Sequence, residues 1–370
     1  MKLGSLIDKT VKKQWSESDI KKYVGDYKYC ALSYANDKET RTSAASGGTT
    51  SALLITGISQ GLFDGAIICT TIIIDGKVRT KFKIATTTEE IVAAQGSKYV
   101  ETTFSRDVIP LIEKFHGKLA VVGLPCDITF LKNRSERNHA LKNKIALTIG
   151  LICGHNSRKE LIDHVTTSIE QEEKATLETY KFRVGHWRGL IQAGFTNGKK
   201  KSYPTSRFNN YQNLFFFCER KCLACSDHYG YDTDISVGDV WLFKLKHDQI
   251  KKTGTIIRTS TGARLYQASI KSKVVTSEYL EITDILDGQS RIGPSHYNVS
   301  ARSKVGKKLG ISINDNVKED VKWHQWMNAF ITIANMKISE NPKWQPLIFK
   351  IPKFFITIYL YSKKALETLK

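Results

Sequence analysis

The sequence predicts an α/β protein in which a mixed parallel sheet is flanked by helices. It also carries an irregular cysteine-containing segment and a helical C-terminal extension. Three observations predict this. Two apolar runs, in 117–133 and 144–165, each pass through a short loop into a helical pattern, which is the signature of a parallel β-α-β unit. Three of the seven cysteines, Cys218, Cys222 and Cys225, fall within eight residues of an aromatic-rich stretch of low regularity. From about residue 291 the chain turns basic and helical.

In chain order, residues 1–25 form a polar, charged lead-in without a long apolar run, so no signal peptide is expected and the thiols are placed in a reducing cytoplasm. Residues 46–62 read as a glycine-rich turn entering a helix, and 65–74 as a buried, almost continuously apolar strand. Residues 87–100 open a helix with a Thr cap and early glutamates and close it at a glycine. The strand–loop–helix repeat that follows puts Cys126 and Cys153 in loops at one carboxyl edge of the sheet, where open α/β sheets form ligand sites. Two ordinary buried cysteines are the alternative there. Residues 181–241 read as irregular, and a mixed α/β stretch runs to about residue 290.

Composition fits a folded chain, with 41% hydrophobic and 25% charged residues. The net charge of +20 favours anionic partners such as nucleic acid, anionic lipid, a polyphosphate cofactor or an acidic protein. Cys222 and Cys225 form a Cys-x-x-Cys pair, and Cys218 extends it to Cys-x-x-x-Cys-x-x-Cys. A structural zinc site, the cluster motif of radical-SAM enzymes, and a four-thiolate [4Fe–4S] site that adds Cys126 and Cys153 all compete for that spacing. Zinc wants a second knuckle, which is missing, and only 145 residues follow Cys225, too few for a full barrel. A zinc-knuckle nucleic-acid-binding protein is therefore the rival class. Its weakness is that the lysines are spread along the chain and no nucleic-acid-binding module is recognisable, so no nucleic acid is expected.

The stretches "SAASGGTTSALL", "GSKYVET", "GLPCDI", "LICGH", "FRVGHWRG", "CLAC", "TDISVGDVW" and "GTIIRTSTGARL" occur in the order found in the coenzyme F420 hydrogenase/dehydrogenase beta-subunit family, which this chain resembles over roughly residues 28–300. The resemblance implies an oxidoreductase that uses FAD and a [4Fe–4S] cluster, with the deazaflavin coenzyme F420 as substrate and a separate electron-transfer protein, or a hydrogenase or dehydrogenase subunit, as partner. It implies Cys126, Cys153, Cys222 and Cys225 as cluster ligands. Cys218 is then a spare thiol or a replacement for one of the four, and the order Cys-Gly-His at 153–155 leaves the role of His155 open.

Flavin contacts are expected from Ser43, Ser46, Gly47, Gly48 and Thr49, through hydroxyls and close-approaching backbone N–H groups, and from Ser97, Lys98 and Tyr99, as a phosphate or ring partner and a stacking surface. Asp239 reads as structural, Trp187 and Trp241 as core aromatics, and Cys30 and Cys69 as buried inert thiols. The chain divides into the lead-in 1–25, a flavin-binding part 26–115, a cluster and flavin domain 116–300, and the extension 301–370. The apolar, lysine-flanked end of that extension is far short of a membrane span; docking on the body or on a partner is favoured over weak contact with a membrane surface.

Overall fold

The computed structural model describes residues 15–369. The expected absence of a signal peptide and most of the lead-in fall on residues 1–14, outside those described. The remainder of the lead-in is a helix, Glu17–Val24, capped by the reciprocal pair Ser16 and Asp19.

Eleven strands are described: β1 Tyr29–Ala35, β2 Gly65–Ile74, β3 Lys77–Ala85, β4 Leu119–Gly123, β5 Ile145–Leu151, β6 Leu177–Val184, β7 Leu190–Phe195, β8 Lys200–Pro204, β9 Ile235–Gly238, β10 Thr253–Ile257 and β11 Val275–Tyr279. Eight of them form one sheet in the order β11-β1-β10-β9-β5-β4-β2-β3. The central run β2, β4, β5 and β9 is parallel, and the flanking pairs are antiparallel. The α/β class and mixed sheet are therefore as the sequence predicts. The sheet is open, not the closed barrel of the radical-SAM alternative.

Successive residues of one strand enter opposite cores, as the period of a strand requires. Ala66 and Ala120 pack with the helices Thr49–Ser59 and Ser260–Lys271, whereas Ile67 and Val121 pack with Phe104–Lys114 and Pro125–Glu136. Near the other edge Leu32 and Ile256 enter a third core with Tyr229 and Leu286.

Two expectations are corrected here. Cys126 lies in no loop: Pro125 begins the helix directly after β4, and a proline at that position loses no hydrogen bond the helix could have made. Residues 181–241 are also more regular than expected, because β6-β7-β8 form a second, antiparallel sheet. The signal for it was Asn197-Gly198. Gly198, at φ 77°, lies in the four-residue loop between β7 and β8. This sheet packs its Phe182, Ile191 and Phe195 with the helix Lys159–Glu173 and with the C-terminal helices.

Strand direction decides what meets at the site. β1 runs with the parallel strands, so the carboxyl ends of β1, β4, β5 and β9 and the start of β10 share one edge. That edge receives the glycine turn, Cys126, Cys153, Asp239 and Thr253.

Candidate functional site

At that edge lies a cavity of about 320 Å³, within the range of small-molecule sites. Its wall runs from Ser46, Gly48 and Thr49, past Ser97, Lys98 and Tyr99, to Cys153 and His155. Ser43 and Gly47 stand outside it; Ser43 ends the short helix Lys38–Ser43.

The glycine turn is fixed by its neighbours. Gly47 donates its N–H to Thr253 Oγ1 at 2.9 Å, and a Cβ there would stand 2.7 Å from the Ser33 carbonyl oxygen. Gly48 is left-handed at φ 80° and starts the helix Thr49–Ser59. No side chain caps that helix, so its first turn presents backbone N–H groups and the positive end of its dipole to the cavity. The hydroxyls expected to serve a ligand are engaged inside the protein: Ser46 donates to the Lys252 carbonyl at 2.8 Å, and Thr49 pairs with Ser33 at 3.0 Å.

Cations line the middle of the wall. Burial lowers the Lys98 pKa to about 8, and its ammonium donates to the Ala94 carbonyl. Arg183, from β6, is buried and makes a two-pronged pair with Asp239 at 2.5 and 2.9 Å. It also donates to the Ala45 carbonyl and approaches the Tyr99 hydroxyl at 3.4 Å. One guanidinium thus ties the glycine turn, the Lys98 segment and the end of β9 together. Asp239, expected to be structural, lines the cavity as well. Tyr99 packs on Phe182 and Phe208 at 6.0 and 5.3 Å between ring centres. Gln95 Oε1, Thr102 Oγ1 and Arg183 Nε, all on cavity-lining residues, are buried without a partner. Polar atoms left this way are costly unless a ligand or water meets them.

Two further readings change. Trp187 and Trp241 are half-buried, edge to face at 5.4 Å, rather than in the core. Trp241 covers the Arg183 guanidinium at 5.3 Å. Cys30 is buried as expected, but Cys69 lines the cavity near Lys98.

The far end of the cavity meets the cysteines. Cys126 enters on the first turn of its helix, Cys153 follows β5, and Cys222 and Cys225 sit on and just after the short helix Arg220–Ala224. Every pair among these four thiols is close enough to interact electrostatically. The Asn156 backbone N–H reaches Cys222 Sγ at 3.4 Å. Burial chiefly raises the pKa values of Cys126, Cys153 and Cys225, the last to about 12, while for Cys222 the hydrogen bond with Cys218 is the main cause. Four thiols, Cys222 buried and the other three half-buried, gather where thiolates would need a compensating metal charge. Among the described residues no three His, Cys, Asp or Glu side chains converge closely enough to hold one metal ion.

Sequence reasoning missed the cation that holds this loop. Arg302, buried in the helix Val299–Lys308, donates to the carbonyls of Leu223, Cys225, Ser295 and His296 at 2.7–3.0 Å. Nothing local marks it, since its partners lie up to 79 residues away. The open question of His155 has a structural answer: its ring stacks on Phe215 at 4.0 Å and its Nε2–H donates to the Gln212 carbonyl at 2.9 Å. Burial lowers its pKa to about 4, so it is neutral at physiological pH. His228, likewise lowered to about 4 by burial, donates from Nδ1 to the Cys153 carbonyl at 2.8 Å.

Two family models match this chain: the coenzyme F420 hydrogenase/dehydrogenase beta-subunit N-terminal region over residues 30–109, and the C-terminal region of the same family over 116–283. The coenzyme F420 hydrogenase subunit beta of Methanosarcina barkeri is 26% identical over 230 residues, covering 59% of this chain and 72% of its own. Its counterpart from Methanothermobacter thermautotrophicus is 22% identical over 309 residues, 76% of this chain and 98% of the relative. In fold, the chain resembles one from the F420-reducing [NiFe] hydrogenase complex of Methanosarcina barkeri, with a TM-score of 0.60, 18% identity, and coverage of 82% of this chain and 99% of that one. With the two halves of one family matched in order, across the strands that build the shared sheet edge, this chain belongs to the coenzyme F420 hydrogenase/dehydrogenase beta-subunit family.

Proposed function

We propose that this chain is an oxidoreductase subunit that carries electrons between a separate redox protein and the deazaflavin coenzyme F420, with FAD and one [4Fe–4S] cluster as its carriers. The observation that carries this reading is the single cavity wall running from a helix N-terminus rich in backbone donors to Cys153, one of four mutually close thiols. FAD, when bound, supplies exchange between two-electron hydride chemistry and the one-electron chemistry of a cluster.

The residues suit these groups. The first turn of Thr49–Ser59 offers N–H groups to a pyrophosphate, and Lys98 adds a positive charge beside it. Arg183 and Asp239 hold the turn and the Lys98 segment in register, so the donors are ordered before a ligand arrives. Cys126, Cys153, Cys222 and Cys225 would hold the cluster. Four thiols close to one another but not converging on a point suit a polynuclear cluster, whose iron and sulfide atoms keep the ligands apart, better than a single zinc ion. Arg302 and Lys221 would offset the negative charge of the thiolates. Stacked, neutral His155 closes the floor without carrying a proton at neutral pH.

The test is anaerobic purification with iron, sulfide and flavin analysis, followed by mixing with reduced deazaflavin while flavin absorbance is recorded. The proposal expects both cofactors and bleaching faster than free FAD gives. If NADH or a tetrapyrrole reduces or oxidises the flavin faster, the substrate is misassigned; colourless protein holding zinc removes the redox reading altogether.

A further inference from the structure

The tail follows the helix Trp323–Glu340 and consists of the helices Gln345–Lys350 and Lys353–Thr368, joined at Ile351-Pro352. These residues lie beyond both matched family regions. One side docks on the body, as the sequence favours. Ile348, Ile356 and Leu360 are buried, Phe349 stacks on His164 at 3.4 Å, and Lys363 with Arg291 encloses the carboxylate of Glu367. Lys363 also lies 4.5 Å over the Phe215 ring that stacks on His155, so the docked side reaches the floor of the site.

The other side has no such cover. Trp344 is 53% exposed, Leu347 46%, Phe354 68%, Phe355 59% and Ile358 49%. Scattered single apolar residues are ordinary on a surface, but six large ones within fifteen residues, counting Ile351 between the helices, are not. On the second helix their spacing puts Phe354, Phe355 and Ile358 on the side opposite buried Ile356, Leu360, Lys363 and Glu367. The charge around them has one sign. Between Glu340 and Glu367 the chain has five lysines and no acidic residue, and Lys343, Lys350 and Lys353 are exposed beside the apolar side chains. The acid nearest Lys353 by its electrostatic effect, Glu172, is already held by Arg207.

We propose that this face is a docking surface for an anionic lipid layer. Among the described residues no helix is long and apolar enough to cross a membrane, and Pro352 interrupts this one. The geometry is that of a helix pair lying in the interface plane: Trp344, Phe354 and Phe355 enter the acyl boundary while the lysines reach lipid phosphates. A second copy of the chain fits poorly, because two such faces would set three exposed lysines against three on proteins that each carry +20.

The test is co-sedimentation of the full chain with phosphatidylcholine vesicles, with and without phosphatidylglycerol. Binding is expected only when phosphatidylglycerol is present, weakening with salt. Phe354→Ser with Phe355→Ser should lower it by about tenfold or more, and Lys350→Gln with Lys353→Gln by roughly fivefold per lysine. Because these side chains are exposed, the melting temperature of each variant should match the parent. No binding to the anionic vesicles overturns the proposal, as does binding that both variants retain. A concentration-dependent dimer abolished by the phenylalanine pair, without vesicle binding, would assign the face to a second copy instead.

Discussion

The two ends of the cavity are built on different principles. At the glycine end the donors are backbone groups within a few residues of one another, organised by one helix start and steadied by Arg183. At the cysteine end four thiols arrive from three separate segments, and the loop carrying Cys222 and Cys225 is held by Arg302 through its own Leu223 and Cys225 carbonyls and those of Ser295 and His296. The first end presents its donors locally and needs its long-range partners only for orientation. The second exists only after distant segments have met. The comparison teaches that a substitution should fail locally at one end and cooperatively at the other.

The largest effect is expected where the comparison is most exposed. Cys126→Ala or Cys153→Ala removes a thiolate that no neutral side chain replaces, so iron should fall to near background in each, while Cys218→Ala keeps it. Flavin content in the same samples should stay near normal. Parallel loss of flavin would break the distinction between the ends, and normal iron would remove the four-ligand assignment.

Arg302→Met leaves four inward-facing carbonyls without their donor and should cost about 3 kcal/mol in denaturant unfolding. It should also lower iron retention. Stability equal to the parent would mean the cysteine loop holds itself.

Gly47→Ala forces a Cβ against the Ser33 and Lys251 carbonyls, at 2.7 and 3.0 Å, so the turn must move. Flavin binding should weaken by roughly tenfold, about 1.4 kcal/mol of misplacement, with iron unchanged. Iron loss here would show that the ends are coupled.

The smallest effect concerns pH. Lys98 is charged below about 8 in the folded protein, against 10.5 ordinarily, so anion affinity should be highest below pH 8 and decline above it. Lys98→Met should lower affinity for FAD by about tenfold at pH 7 and flatten that decline, read by flavin fluorescence titration. The linkage for stability has the opposite sense. The unfolded chain binds this proton more readily between about 8 and 10.5, so Lys98 opposes folding fully below that window and its penalty is relieved as pH rises through it.

The same contrast explains what was legible in the sequence. The strand Gly65–Ile74 and the Thr87 cap could be read because apolar runs and caps are local signals, although only Gly65–Ile68 of that strand are buried and Ile74 is exposed. The shared edge for Cys126 and Cys153 followed from the parallel strands of a β-α-β unit, even though Cys126 proved to be helical. Arg183 and Arg302 could not be read as keystones, since a lone arginine looks the same whether solvated or buried, and only its distant acceptors decide. Nor could the occupancy of the Ser46 and Thr49 hydroxyls, which depends on strands that join the turn from elsewhere. The tail's two faces were visible as one apolar, basic stretch, and packing alone separated them.

The position of β1 has a consequence for biogenesis. Its neighbours in the sheet are β10 and β11, and β10 begins only at Thr253. During synthesis at about 5–20 residues per second, the strand emerges and then waits roughly 10–40 s for its partners. Until they appear, the glycine turn has neither Thr253 nor Lys252 to seat it. On the proposed reading, flavin loading at that turn must wait until β10 has been made, and a nascent chain stalled before residue 253 should emerge without flavin.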